Sequence, residues 1–447
     1  MTTSAAPDAP ARFALPPDDD QRELLHNEIH ARPSARIRLP ALVVYVAVLN
    51  QGVSREQEWE HLRRLPGLAA LPLQDLNGHF LRLRMPGFTL KWERHTEFTR
   101  YSLVQPLPES AQLGACEPEL LSHLVLPPAW LAGIPGRTVA AIKLAMVNHD
   151  ITDPHAVLAL AQRWMGGRTV VGGFLGNGHS IAVTHFRVQP SGFERMLFIA
   201  PPGTSETRAG RVSQRLLELE TYRLMALRGL PTAKALAPQL AQAEAVLAEV
   251  TAQLEGSQSS ESELLHRLIQ VAAGVERATA EHSFRFSATQ AYADLVRQRI
   301  AELREVAISG TQTMGVFMQH RFSPAMATVA AAERRLVGLS QRIERTSALL
   351  RTQVDIATEA QNQQLLAKLT HGQALQLKLQ STVEGLSIAA ISYYMASLVL
   401  YSGKALKGLG VPLNPELLAG SLIPVILWGV WKATQRIHAR LHEEGGH

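Results

Sequence analysis

Glu93, His95 and Glu97 stand at alternate positions of the chain. On a strand, every second side chain shares a face, so two carboxylates and an imidazole would project together. That donor set suits a divalent cation or acid–base proton transfer. The same three groups could equally face Arg32, Arg36 or Arg38 as a structural charge network. A second candidate is His26 and His30, which at i and i+4 would share one face of a helix, as in metal-binding helices. Glu28 lies two residues from each histidine and would point elsewhere, so the pattern is not the zinc-protease motif. Its alternative is an N-terminal arm docked on the domain, with Glu28 and Arg32 in ion pairs and Pro33 ending the element. Glu218, Glu220 and Arg223, with Arg211 and Arg215, mark a charged helix face, either solvated or bridging to another helix.

No phosphate-binding Walker loop, dinucleotide fingerprint, nucleophile elbow or His-Glu-x-x-His occurs in the 447 residues, so an enzyme is unsupported. Gly166-Gly167 and Gly172-Gly173-Phe174 are too irregular to cradle a phosphate and are read as hairpin turns. The single cysteine, Cys116, excludes an intrachain disulfide and any multi-cysteine metal site, which suits a reducing compartment. Lys and Arg number 44 against 39 Asp and Glu, and no long basic block marks a nucleic-acid surface. With 46% hydrophobic and 19% charged residues the chain can build sizeable cores.

The elements that must hold these residues begin after a tail. Residues 1–20 are rich in Ala, Pro and Asp, read as disordered and lack the pattern of a secretory signal. Residues 21–205 alternate β-rich runs with single helices, and the order repeats. Leu49-Asn50 then Val53-Ser54 corresponds to Val147-Asn148 then Ile151-Thr152, with Ser54 and Thr152 placed to cap the following helix. Asn77-Gly78-His79 returns as Asn177-Gly178-His179, each leading into a hairpin turned at Pro86-Gly87 and at Pro190-Ser191-Gly192. The expectation is an α+β domain of two β-α-β-β repeats.

From Pro201-Pro202-Gly203 onward Ala, Leu, Gln, Glu and Arg dominate, which predicts helices across 206–322. Ser323-Pro324 supplies a cap and a first-turn proline, and no other proline occurs before Pro412, so one stalk helix is expected through 323–384 and beyond. Leu336, Leu339, Ile343, Thr346 and Leu350 form a coiled-coil-like seam on it, which needs partners. Residues 385–403 are uncharged throughout and long enough to span a bilayer; 414–432, with Trp428 and Trp431 at an interface position, reads as a second span after a short loop at 404–413. Lys432, Arg436 and Arg440 place the 433–447 tail in the cytoplasm by the positive-inside rule. Gly385, Ala389, Ser392, Ala396 and Gly403 share one face of the first span, either a packing seam or a pore lining. Tyr394 and Tyr401 would line a lumen or sit at an interface.

Several runs resemble the bacterial membrane-anchored family known as domain of unknown function 3422: HNEIHARP at His26–Pro33, KWERHTEF at Lys91–Phe98, the stretch Gly210–Lys234, and LQSTVEGLSIAAISYY at Leu379–Tyr394. The resemblance implies a membrane anchor and brings no activity. Where the family pattern has Thr-Asp-Phe-Arg, this chain has Thr184-His185-Phe186-Arg187, so no carboxylate role transfers there. The layout of α/β domain, long helix and two C-terminal spans is also similar to CorA-type magnesium channels, with Asn414-Pro415-Glu416 resembling their outer loop. Their Gly-Met-Asn motif is replaced by Tyr401-Ser402-Gly403-Lys404, and a ring of Lys404 would repel divalent cations. The sequence therefore leads to a homo-oligomeric, non-enzymatic protein of the bacterial inner membrane with a cytoplasmic sensing or scaffolding domain, the alternative being a CorA-like channel or transporter. Its expected partners are the lipid bilayer and further copies of itself, with no nucleic acid.

Overall fold

Strand β1 (Ala41–Leu49) is buried along its whole length. Its alternation divides it between two cores: Ala41, Val43, Tyr45, Ala47 and Leu49 enter one, and Leu42, Val44, Val46 and Val48 the other. A strand covered on both faces needs apolar residues at every position, which explains the run Leu42–Leu49. The computed structural model describes residues 16–22, 25–26, 36–107, 113, 124–256, 261–409 and 414–444. Among the sequence expectations, Glu28, His30, Arg32, Pro33, Cys116, residues 1–15 and 445–447, and the end of the 404–413 loop lie outside them. The chain divides into two units, Met1–Arg345 and Thr346–His447.

The first unit is built on a mixed eight-stranded sheet in the order β2-β3-β4-β1-β5-β8-β7-β6. Its other strands are β2 (Phe80–Met85), β3 (Phe88–Arg94), β4 (Phe98–Pro106), β5 (Arg137–Asn148), β6 (Val171–Leu175), β7 (Ser180–Val188) and β8 (Glu194–Ala200). Antiparallel β1 and β5 form the centre, and β5 with β8 is the parallel pair. The sequence landmarks equate β2 and β3 with β7 and β8. Each half carries one strand more than the β-α-β-β expectation: β4 lies between β3 and β1, and β6 extends the far edge beside β7. Gly172 and Gly173 belong to β6 rather than to a turn. A Cβ on Gly172 would come within 2.2 Å of the Ala182 carbonyl, and one on Gly173 within 2.8 Å of the Val306 carbonyl. These glycines therefore serve close backbone approach.

On one face lie α1 (Arg55–Arg63), α2 (Pro128–Ala132) and α3 (Pro154–Trp164), with Leu62, Trp130, Leu158 and Trp164 in that core. Ser54 and Gln57 complete a capping box on α1. Asp153, rather than Thr152, caps α3, because Pro154 takes the first helical position and the Asp153 carboxylate accepts from His155 and Ala156 N–H. The other face carries α4 (Glu206–Leu227), α6 (Glu261–Leu303) and α7 (Met314–Arg321), which contribute Leu216, Leu219, Met225, Val296 and Met318 to the second core. Helix α5 (Gly229–Gly256) starts directly after α4, at Gly229. The segment after α6 bridges the edge strand β6 at Val171–Gln312 and Phe174–Val306, covering that edge of the sheet.

Helix α8 runs Ser323–Gly408 and α9 runs Pro415–Glu444. Leu336, Leu339 and Ile343 of the expected seam are buried, and Arg335 holds Glu244 of α5 at 2.8 Å. In the second unit, α8 and α9 are long and apolar enough to cross a membrane, and only 6% of each apolar window is buried.

Candidate functional site

Antiparallel pairing sets Glu93 of β3 opposite Arg100 of β4. Lys91, two residues before Glu93, shares its face and brings Nζ to 3.1 Å from Glu93 Oε1, while Arg100 Nε donates to Glu93 Oε2. Arg100 Nη1 donates to Glu218 Oε1 of α4 at 3.1 Å, and Arg299 Nε of α6 donates to Glu218 Oε2 at 2.6 Å. Arg299 Nη1 reaches Glu302 Oε1 at 2.7 Å, and Arg215 Nε reaches Glu302 Oε2 at 3.1 Å. One chain of alternating charges thus ties the sheet to two helices. Burial alone would push the Glu93 carboxyl up, but Arg100 and Lys91 outweigh it and hold it at about 2. Glu218 is lowered in the same way, burial being overcome by Arg100, Gln214 and Arg299. The reading of Glu218 and Glu220 as a solvated face is corrected: both are buried, and the interhelical alternative describes Glu218.

His95 and Glu97 lie in the turn after β3, so the alternation that begins at Glu93 does not continue along one strand. His95 stacks on Phe98 with ring centroids 4.4 Å apart, and Glu97 pairs with Arg285 of α6. Among the described residues the charge partners are Lys91, Arg100 and Arg285 rather than Arg36 or Arg38, and Arg32 lies outside the described residues. Among the described residues no group of three His, Cys, Asp or Glu is placed to hold a metal ion. The cavity beside Lys91, Glu93 and Arg100 measures about 40 Å³, room for about one water. His26 is exposed.

The far end of the charge chain opens on a larger space. Arg215 and Glu302 line a cavity of about 290 Å³ together with Arg208, Arg211, Arg304 and His179. Arg208, Arg211 and Arg215, spaced three and four apart, occupy one face of α4. Arg304 follows α6 at a positive φ of 47°, and its carbonyl accepts from Asn177 N–H, docking the β6–β7 turn there. His179 Nδ1 is buried with no hydrogen-bond partner among the described residues.

A third cluster surrounds Arg223 of α4. Arg223 Nε donates to Glu220 Oε2 at 2.8 Å, and its Nη2 also meets Glu220 and lies 3.9 Å from Glu194. Burial and the neighbouring Glu220 push the Glu194 carboxyl up to about 9. A group that holds its proton in the folded state where the unfolded chain has released it loses stability as pH rises between the two pKa values. The melting temperature should therefore fall from about pH 5 to pH 9 through this residue. Glu194→Gln should flatten that slope, raising the melting temperature more at pH 8 than at pH 5; equal effects at both would refute the assignment. Arg223 also lines a cavity of about 630 Å³ with Phe186, Phe317 and His185. Phe186 adopts φ 50° and stacks on Phe317 at 4.8 Å. His185 Nδ1 accepts from Arg187 N–H at 3.1 Å, doing at this turn what an aspartate oxygen would do.

In the second unit, Ser392 is 7% exposed, Ala396 is half-buried and Gly403 packs on Pro415 of α9, where an added Cβ would lie 3.2 Å away. Gly385 and Ala389 are exposed, so the small-residue stripe is covered only toward its C-terminal end. Tyr394 and Tyr401 are 70% and 69% exposed, and Lys404 Nζ lies over the Tyr401 ring at 5.9 Å. Sequence patterns could mark these helical faces but not the arginine cavity, which joins residues about ninety positions apart.

A family profile described as "Protein of unknown function (DUF3422)" matches residues 17–441. No curated protein and no solved structure matches the chain.

Proposed function

The chain belongs to the DUF3422 family, and from that premise we propose a membrane-anchored, homo-oligomeric, non-enzymatic protein whose N-terminal unit senses or scaffolds at the cytoplasmic face of the bacterial inner membrane. The observation that supports the anchor is the pair of apolar helices in whose most hydrophobic windows only 6% of the residues are buried. Leu386, Leu398, Leu417 and Val425 are all exposed there. Covering each such side chain is worth about 1.5–3 kcal/mol, so water is an unfavourable surrounding for this surface. Lipid supplies the cover without further protein.

The oligomer is supported by the helix before the first span, where Leu365, Leu369, Leu379 and Val383 are exposed at near-heptad spacing. Glu93, Arg100 and Glu218 are buried and the space beside Glu93 has room for about one water, which favours a structural role over catalysis for that cluster. The CorA-like conduction reading rests on layout alone, and Lys404 would put a positive charge at the end of the first span where divalent cations would enter.

Reporter fusions after Ser205, at Gly408 and at His447 test the topology. Cytoplasmic signals are expected at the first and third and an external signal at the second; an external signal at His447 would remove the hairpin. The detergent-solubilised mass should be a multiple of one chain, and a folded monomer would sink the oligomer.

A further inference from the structure

We infer that the arginine-lined cavity between α4 and the end of α6 binds a small phosphorylated anion carrying at least two negative charges. Four arginines, Arg208, Arg211, Arg215 and Arg304, line a space of about 290 Å³ whose one acidic lining residue is Glu302. That carboxylate is already engaged by Arg215 and by Arg299. Arg208, Arg211 and Arg304 make no side-chain hydrogen bond or ion pair among the described residues. Three uncompensated cations facing one cavity repel one another, and a multivalent anion would turn that repulsion into attraction.

The chemistry of the ligand follows from the donors. A guanidinium presents a planar fork that matches two oxygens of a phosphoryl group, so Arg-rich sites select phosphate geometry where lysines would offer only point charges. His179 adds an imidazole whose Nδ1 is buried and unpartnered among the described residues. The volume sits at the lower end of small-ligand pockets, which begin near about 300 Å³, and fits a phosphate ester or pyrophosphate rather than a protein segment. Backbone placement makes the site rigid: the β6–β7 turn is fixed by Gly176 N–H donating to Leu303 and Asn177 N–H donating to Arg304. Arg215 connects the cavity to Glu302, Arg299, Glu218 and Arg100, so a bound anion would compete directly for one end of the buried ion-pair chain. This ligand goes beyond the membrane anchor and does not depend on it.

The test is calorimetric titration of the full-length protein in detergent with inorganic pyrophosphate, at fixed ionic strength. Saturable binding is expected, together with a rise in melting temperature. Arg211→Gln with Arg304→Gln should weaken it at least tenfold without lowering the ligand-free melting temperature, since both side chains are exposed at the cavity mouth. Arg334→Gln, at an exposed arginine of α8, removes a surface cation away from the cavity and should bind as wild type. Competition by phosphatidic acid doped into the micelles would assign the phosphate to a lipid headgroup, and its failure to compete would assign it to a soluble ester; both support the site. No saturable binding at millimolar pyrophosphate, or equal weakening by Arg334→Gln, would overturn the inference.

Discussion

Arg100→Met should lower the unfolding free energy of the full-length protein by about 3–5 kcal/mol, the loss expected when one partner leaves a buried ion pair. Arg100 is 4% exposed and is the shared partner of Glu93 and Glu218. A methionine fills much of the volume but leaves two carboxylates without their common cation. Lys91 and Arg299 would then hold one each. The comparison is Arg297→Met, which breaks an exposed pair with Asp294 on the surface of α6 and should cost about 0–1 kcal/mol. Urea unfolding followed by tryptophan fluorescence measures both, with Trp92 reporting from the neighbouring strand.

The pH dependence has a fixed sign. Glu93 is held at about 2, below its ordinary value, so its contribution is complete above about pH 4.5 and is lost as pH falls toward 2. The gap between wild type and Arg100→Met should accordingly close over that interval. A gap that stays constant would mean that packing, not charge, is what Arg100 supplies.

Much of this architecture could be read from local chemistry. The unbroken apolar run of β1 and the Ser54 cap each depend on neighbours a few residues away, and each appears as its sequence suggests, whereas Ser323, expected as a cap, is itself helical. β4 and β6 could not be read in this way. β6 carries two glycines that look like a turn, because pattern alone does not separate a glycine needed for positive φ from one needed for close approach. Gly166 and Gly167 are the first kind, at φ 75° and 70°, and Gly172 is the second. The site shows the same limit. Glu93 was recognisable as chemistry-bearing, but beside Lys91 of its own strand its partners come from β4 and, through Arg100, from α4, and no spacing within Lys91–Phe98 reveals Glu218. Arg211 and Arg215 were legible as charged positions on a helix. Their grouping with Arg304 depends on where α6 ends against the β6–β7 turn, which is a matter of tertiary packing.

Met395→Arg combined with Ile423→Arg should release much of the protein from alkaline-washed membranes. Each residue lies near the middle of its apolar run and is exposed in the second unit. An arginine at the centre of a span costs about 2.5–3.5 kcal/mol in insertion, so the two together should oppose insertion by about twice that. Leu369→Arg provides the contrast: Leu369 is also exposed on α8 but precedes the uncharged run that starts at Gly385. A bilayer has no hold on that position, so Leu369→Arg should remain in the membrane fraction. Its effect should fall on assembly, because the exposed leucines before the first span are the surface a second copy would cover. Membrane retention by the double variant, with loss of the oligomer in its place, would show that protein rather than lipid covers the apolar surface of α8 and α9.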